Sequence, residues 1–154
     1  MRRFEGRTIL ITGAARGQGA SHARAFVSEG ARVVLGDIRE ALGRMLADEL
    51  GSDAHFVALD VAQVADWAAA VDEAERRFGP ISILVNNAGI TRDNLLMRMK
   101  EEEWDQVVSA NLSSAYRVCK AALRGMIKAG GGRIINITSV VGLTGNPGQV
   151  NYSA

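Results

Sequence analysis

Five short runs of aliphatic and β-branched residues punctuate the chain: Arg7 to Thr12, Arg32 to Leu35, His55 to Leu59, Ile81 to Val85 and Arg133 to Thr138. Such short apolar runs are the pattern of parallel strands buried on both faces. Between them the apolar residues fall at helical spacing, over Gly19 to Glu29, Glu40 to Leu50, Val64 to Phe78 and, longest, Glu101 to Lys128. The first three strands start about 24 residues apart, room for one crossover helix each, which predicts right-handed βαβ units. The expectation is an α/β fold, a doubly wound parallel sheet between two helical layers. Gly130-Gly131-Gly132 stops the last helix before the fifth strand, and no linker or repeat interrupts the alternation, so residues 1–154 read as a single domain.

The longest helix places Trp104, Val108, Asn111, Ala115, Val118 and Ala122 on one face, with Asn111 a polar residue on a buried stripe. A second stripe, Leu112, Tyr116, Cys119, Leu123 and Met126, widens the apolar surface beyond what one sheet face needs. It either packs within this domain or covers a partner subunit. Cys119 reads as a small buried apolar residue, because no basic group at helical spacing activates it as a nucleophile.

Composition narrows the partners. The 154 residues carry a formal charge of +1, with 47% hydrophobic and 23% charged side chains. This balance offers no basic field for nucleic acid, and no apolar run approaches the roughly 18 residues of a membrane helix. One cysteine makes no internal disulfide, and the opening residues lack a secretory pattern, so a cytoplasmic location is expected. His22 and His55 stand alone without metal-ligand company, so no metal site is expected. Glu101-Glu102-Glu103 suits the positive end of a helix, and Trp67 and Trp104 suit core packing.

Directly after the first strand comes Thr12-Gly13-Ala14-Ala15-Arg16-Gly17-Gln18-Gly19, and then a helix. Glycines at a strand-to-helix turn let backbone approach a pyrophosphate, and the helix N-terminus adds about half a positive charge facing it. Asp37 closes the second strand, where a carboxylate accepts the ribose hydroxyls of an adenosine. Together they point to a dinucleotide-binding, Rossmann-type domain held by Gly13, Ala14, Ala15, Arg16, Gly17, Gln18, Gly19 and Asp37. Asp37 would repel a 2′-phosphate and so favours NAD over NADP, although Arg16 and Arg39 are near enough in sequence to offset it.

With three residues between its first two glycines, this loop resembles that of the short-chain dehydrogenase/reductase family. The resemblance extends along the whole chain, through Asp60-Val61, Asn86-Asn87-Ala88-Gly89, Asn111, Ser139 and Tyr152. It implies that Ile38, Asp60 and Val61 border the adenosine and that Asn87, Ala88 and Gly89 support the cofactor and steady the central strand. Taken alone, Asp60 reads equally as a helix N-cap and the asparagines as a buried turn.

For catalysis, the same resemblance implies Tyr152 as general acid/base and cofactor contact, Ser139 as hydrogen-bond donor to the substrate carbonyl, and Asn111 as holder of a relay water. It also implies a lysine four residues after the tyrosine, at position 156, whereas the sequence runs to Ala154. The expectation is therefore a chain lacking the family's last strands, with its fifth strand left at an edge and little activity by itself.

Two branches of the family meet in the sequence. TGAARGQGASHARAF with Gly36-Asp37-Ile38 resembles NAD-linked hydroxysteroid and secondary-alcohol dehydrogenases. From Thr91, TRDNLLMRM, EEEWDQVVSANLSSAYR and GGRIINITSVVGLTGNPGQVNYSA resemble the 3-oxoacyl-[acyl-carrier-protein] reductases of fatty acid synthesis. These imply a ketone or acyl thioester substrate, acyl carrier protein as a partner, and a homotetramer at full length. The turn before the fifth strand, Ala129 to Gly132, lacks the basic residues common in the carrier-protein branch. A non-catalytic dinucleotide-binding module is the competing class.

Overall fold

The computed structural model describes residues 2–154. In chain order its elements are β1 (Thr8–Thr12), α1 (Gly17–Ser28), β2 (Arg32–Asp37), α2 (Glu40–Leu50), β3 (Ala54–Ala58), α3 (Val64–Phe78), β4 (Ile81–Asn86), α4 (Glu101–Val108), α5 (Ser114–Lys128), β5 (Arg133–Asn136), and two single turns, α6 (Val141–Thr144) and α7 (Val150–Ser153). The strands form one parallel sheet in the order β3-β2-β1-β4-β5.

Side-chain alternation splits each strand's apolar residues between two cores. Ile9, Ile11, Val33, Leu35 and Val85 pack with Ala20 and Ala23 of α1 and Leu46 of α2. Leu10, Val34 and Leu84 pack on the opposite face, against Trp67 and Ala70 of α3 and Val118, Ala122 and Met126 of α5. The result is the expected three-layer αβα sandwich. Each fully buried Leu or Ile contributes roughly 1.5–3 kcal/mol. β1 is buried along its whole length, while every residue of β5 is exposed at the sheet edge.

One element departs from the expected pattern. Glu101 to Lys128 is not one continuous α-helix, because a π turn at Ser109–Ser113 separates α4 from α5. The extra residue in that turn rotates α5 relative to α4, and the buried path becomes Val107, Ala110, Ser114, Val118, Ala122 and Met126. Ser114 Oγ donates to the Ala110 carbonyl inside the widened turn. Trp104 is 38% exposed, unlike the buried Trp67, and the expected core role holds only for Trp67. Of the second stripe, Met126 is buried, but Leu112, Tyr116 and Leu123 are exposed.

From β1 the chain moves outward through β2 to β3, then crosses back to β4 on the other side of β1, so the strand order reverses there. In open α/β sheets the crevice outside the C-terminal strand ends at such a reversal is where ligands bind.

Candidate cofactor and active site

At that crevice the backbone leaving β1 almost touches the backbone leaving β4. A Cβ on Gly13 would stand 2.9 Å from the Ala88 Cα, and Gly13 also has φ of +63°, so only glycine fits. A Cβ on Gly19 would collide with the Gly13 carbonyl oxygen and lie 2.9 Å from the Ala14 Cα. Gly17, at φ +55°, faces open space and starts α1, whose first-turn amides have no partners within the helix. Ala14 and Ala15 are buried under the loop, whereas Arg16 and Gln18 are exposed at the mouth. This cradle, open on one side and tight against backbone on the other, fits a dinucleotide pyrophosphate.

Asp37 is 4% exposed at the end of β2. Its Oδ2 accepts the Ala15 amide at 3.0 Å and its Oδ1 accepts the Arg39 amide at 3.0 Å, with Arg39 Nη1 3.6 Å away. A carboxylate offers about four lone-pair sites, so both oxygens keep capacity for ribose hydroxyls. Ile38 beside it is 64% exposed, an apolar ledge at the same mouth. Asp60 follows β3. Its Oδ1 accepts the Ala62 amide at 2.9 Å, and its own amide donates to Asp66 Oδ2 at 3.0 Å. Because α3 begins at Val64 after Gln63, Asp60 shapes a turn ahead of the helix and is not its N-cap. The Val61 carbonyl accepts the Trp67 indole N–H at 3.0 Å.

The turn after β4 is fastened to β1 by side chains. Asn87 Nδ2 donates to the Thr12 and Gly13 carbonyls at 2.9 and 3.1 Å. In return, Thr12 Oγ1 accepts the Asn87 and Ala88 amides at 3.0 and 2.9 Å. Beyond Gly89, Asn111 in the π turn pairs twice with Ile90, accepting its amide at 2.8 Å and donating to its carbonyl at 2.9 Å.

Ser139 lies in the turn following β5, half-buried, where its Oγ accepts the Val141 amide at 3.2 Å. Tyr152 sits on α7, also half-buried, next to the buried Asn151. Helices α6 and α7 pack together, and α7 packs on α4, so both residues belong to one lobe beside the strand ends.

The short chain dehydrogenase family model matches residues 7–154. The chain belongs to the short chain dehydrogenase family. It is 46% identical over 151 residues to the 3-oxoacyl-[acyl-carrier-protein] reductase FabG of Salmonella typhimurium, covering 98% of this chain and 62% of that protein. FabG of Vibrio cholerae is 48% identical over 98% of this chain and 62% of its own length. FabG of Chlamydia muridarum is 46% identical over 96% of this chain and 61% of its own. The chain thus spans about three-fifths of the curated relatives it matches.

Within this short chain dehydrogenase domain, Thr12 and Asn151 are structural partners of the site that the sequence did not single out. A hydroxyl following the apolar Ile9, Leu10 and Ile11 at the end of the strand was the available signal for Thr12. Asn151 carried none beyond its place before Tyr152. His22 and His55 remain outside the site: His55 Nε2 pairs with Glu73 at 3.0 Å. Burial first, then the guanidinium groups of Arg77, Arg76 and Arg44, push His55 below the ordinary imidazole value. Among the described residues no group of three or more His, Cys, Asp or Glu is arranged to hold a metal, and no helix is long and apolar enough to cross a membrane. Of the three glutamates opening α4, Glu103 makes the cap, its Oε2 accepting the Lys100 amide at 2.8 Å and an Asn94 Nδ2 hydrogen at 3.1 Å.

Proposed function

We propose that this domain is the cofactor-binding and catalytic part of a cytoplasmic, nicotinamide-dependent oxidoreductase that reduces 3-oxoacyl thioesters, with NAD favoured over NADP. The reading rests above all on one observation: a backbone cradle tight enough to demand Gly13 and Gly19 lies hydrogen-bonded to a buried carboxylate, Asp37. Identity of 46–48% to the FabG relatives supports the substrate class.

When bound, the cofactor supplies a hydride to a carbonyl carbon. The chain's own residues do the rest. Amides between Gly13 and Gly19 hold the pyrophosphate, and Asp37 holds the adenosine ribose beside Ile38, Asp60 and Val61. Asn87, Ala88 and Gly89 support the nicotinamide side of the crevice. Ser139 Oγ orients the substrate carbonyl by hydrogen bonding, and Tyr152 gives its phenolic proton to the alkoxide oxygen that hydride addition leaves. Asn111 serves a proton relay from the π turn.

NAD is favoured because a carboxylate at Asp37 accepting ribose hydroxyls would repel a 2′-phosphate, and because Arg39 is already drawn to 3.6 Å from it. This same preference supports a second reading, an NAD-linked secondary-alcohol or hydroxysteroid dehydrogenase. Acyl carrier protein is the proposed protein partner. A second copy of the chain is proposed to cover the exposed Leu112, Tyr116 and Leu123.

Fluorescence titration with NADH and NADPH tests the cofactor, and NADH oxidation with acetoacetyl thioester tests the reaction, in this chain and in one continued through a lysine at position 156. Saturable NADH binding with thioester-dependent oxidation supports the proposal. Binding without oxidation of any ketone leaves a dinucleotide-binding module, and turnover of secondary alcohols alone selects the second reading.

A further inference from the structure

We propose that Asn151 is a positioning residue for Tyr152, fixing the single helical turn that carries the phenol to the segment after β4. The inference rests on the reading of Tyr152 as proton donor. The orientation of α7 is set by the contacts its residues make with segments outside the turn. Asn151 supplies them from a buried position, with 2% of its surface exposed. Its Nδ2 donates to the Arg92 carbonyl at 2.9 Å and to the Glu103 carbonyl at 3.1 Å. Its Oδ1 accepts the amide of Tyr152 itself at 2.8 Å.

One side chain therefore joins the loop after β4, the first turn of α4 and the tyrosine. A carboxamide suits the task because it presents two donors to two carbonyls and one acceptor to an N–H. Aspartate would turn oxygens toward both carbonyls, and alanine would remove the donors to both carbonyls and the acceptor for the Tyr152 amide. Two neighbouring contacts run in parallel, from the Asn94 amide to the Gly148 carbonyl at 2.8 Å and from Gln149 Nε2 to the Asp93 carboxylate at 3.0 and 3.1 Å. The Gln149–Asp93 pair is exposed, so water competes for it, whereas the Asn151 bonds are shielded.

The chain has two tyrosines, Tyr116 and Tyr152, which makes the test direct. Labelled with 3-fluorotyrosine, it gives two fluorine resonances, assigned by Tyr116→Phe. In Asn151→Ala the Tyr152 resonance is expected to broaden and move toward the position of free fluorotyrosine, while that of Tyr116 stays in place. NADH affinity should remain within about twofold. In the chain continued through a lysine at position 156, thioester turnover should fall roughly tenfold to a hundredfold, in kcat more than in KM. An unmoved Tyr152 resonance in the folded variant overturns the proposal. Should Asn151→Ala fail to fold by circular dichroism, Asn151→Ser, which keeps one donor, carries the same measurement. If the chain continued through a lysine at position 156 shows no ketone-dependent oxidation while the Tyr152 resonance still moves in the variant, the catalytic reading is overturned and the clamp stands.

Discussion

Asp37 accepts the backbone amide of Ala15 at 3.0 Å, joining the end of β2 to the glycine loop that follows β1. The carboxylate read as a ribose acceptor is thus also the brace for the loop that faces the pyrophosphate. The proposed ribose contact and the shape of the loop therefore depend on one side chain.

Replacing Asp37 by alanine removes a charged acceptor from two amides and from the ribose. Hydrogen bonds to charged groups contribute about 1.5–3 kcal/mol each. NADH binding in Asp37→Ala should weaken by at least tenfold, with NADPH binding weakened far less, so that the preference between them narrows. Fluorescence titration of both cofactors checks this.

A methyl group at position 19 has nowhere to go, because backbone atoms of Gly13 and Ala14 already occupy its place. Gly19→Ala should destabilise the domain by about 1–3 kcal/mol through overpacking and weaken NADH binding more than tenfold. Thermal unfolding with and without NADH measures both effects: the variant's Tm should fall, and its stabilisation by cofactor should shrink.

Thr12→Val keeps the volume of the side chain and deletes the hydroxyl that serves the Asn87 and Ala88 amides. A loss of about 1–3 kcal/mol is expected from the unpaired amides, although the volume packed at this end of β1 is unchanged. Urea denaturation should show a lower midpoint with an unchanged slope.

Glu103 is held below its ordinary value of 4.5, first by the Lys100 amide and then by the Asn94 side chain. Folding therefore favours the ionised form. Its contribution is complete above pH 4.5 and is lost as pH falls from there through the lowered folded value. In Glu103→Gln this part of the acid dependence should vanish, which urea midpoints measured between about pH 3 and pH 6 would reveal; an unchanged pH profile would sink the assignment.

Much of this fold is legible along the chain because short runs apolar on both faces suit strands covered on two sides. The expected spans of α2 and α3 match the structure to the residue, since both are ordinary amphipathic helices ending at Gly51 and Gly79. The long helix is different. Its apolar residues fit a continuous α-helical period, yet the π turn at Ser109–Ser113 is stabilised by contacts that periodicity does not encode, Ser114 to Ala110 within the turn and Asn111 to Ile90 across it. Trp104, on the stripe read from that period, is 38% exposed.

By itself, the order of residues determined the alternation of strand and helix, the cofactor loop and the acid at the end of β2, because each depends on neighbours close in sequence. Tertiary structure alone decided that Thr12 fastens Asn87 to β1, and that Asn151 ties the turn carrying Tyr152 to Arg92 and Glu103. These bonds join residues 48 to 75 positions apart. A hydrogen bond over that separation exists only after the sheet and its crossovers have brought the two segments within about 3 Å of each other.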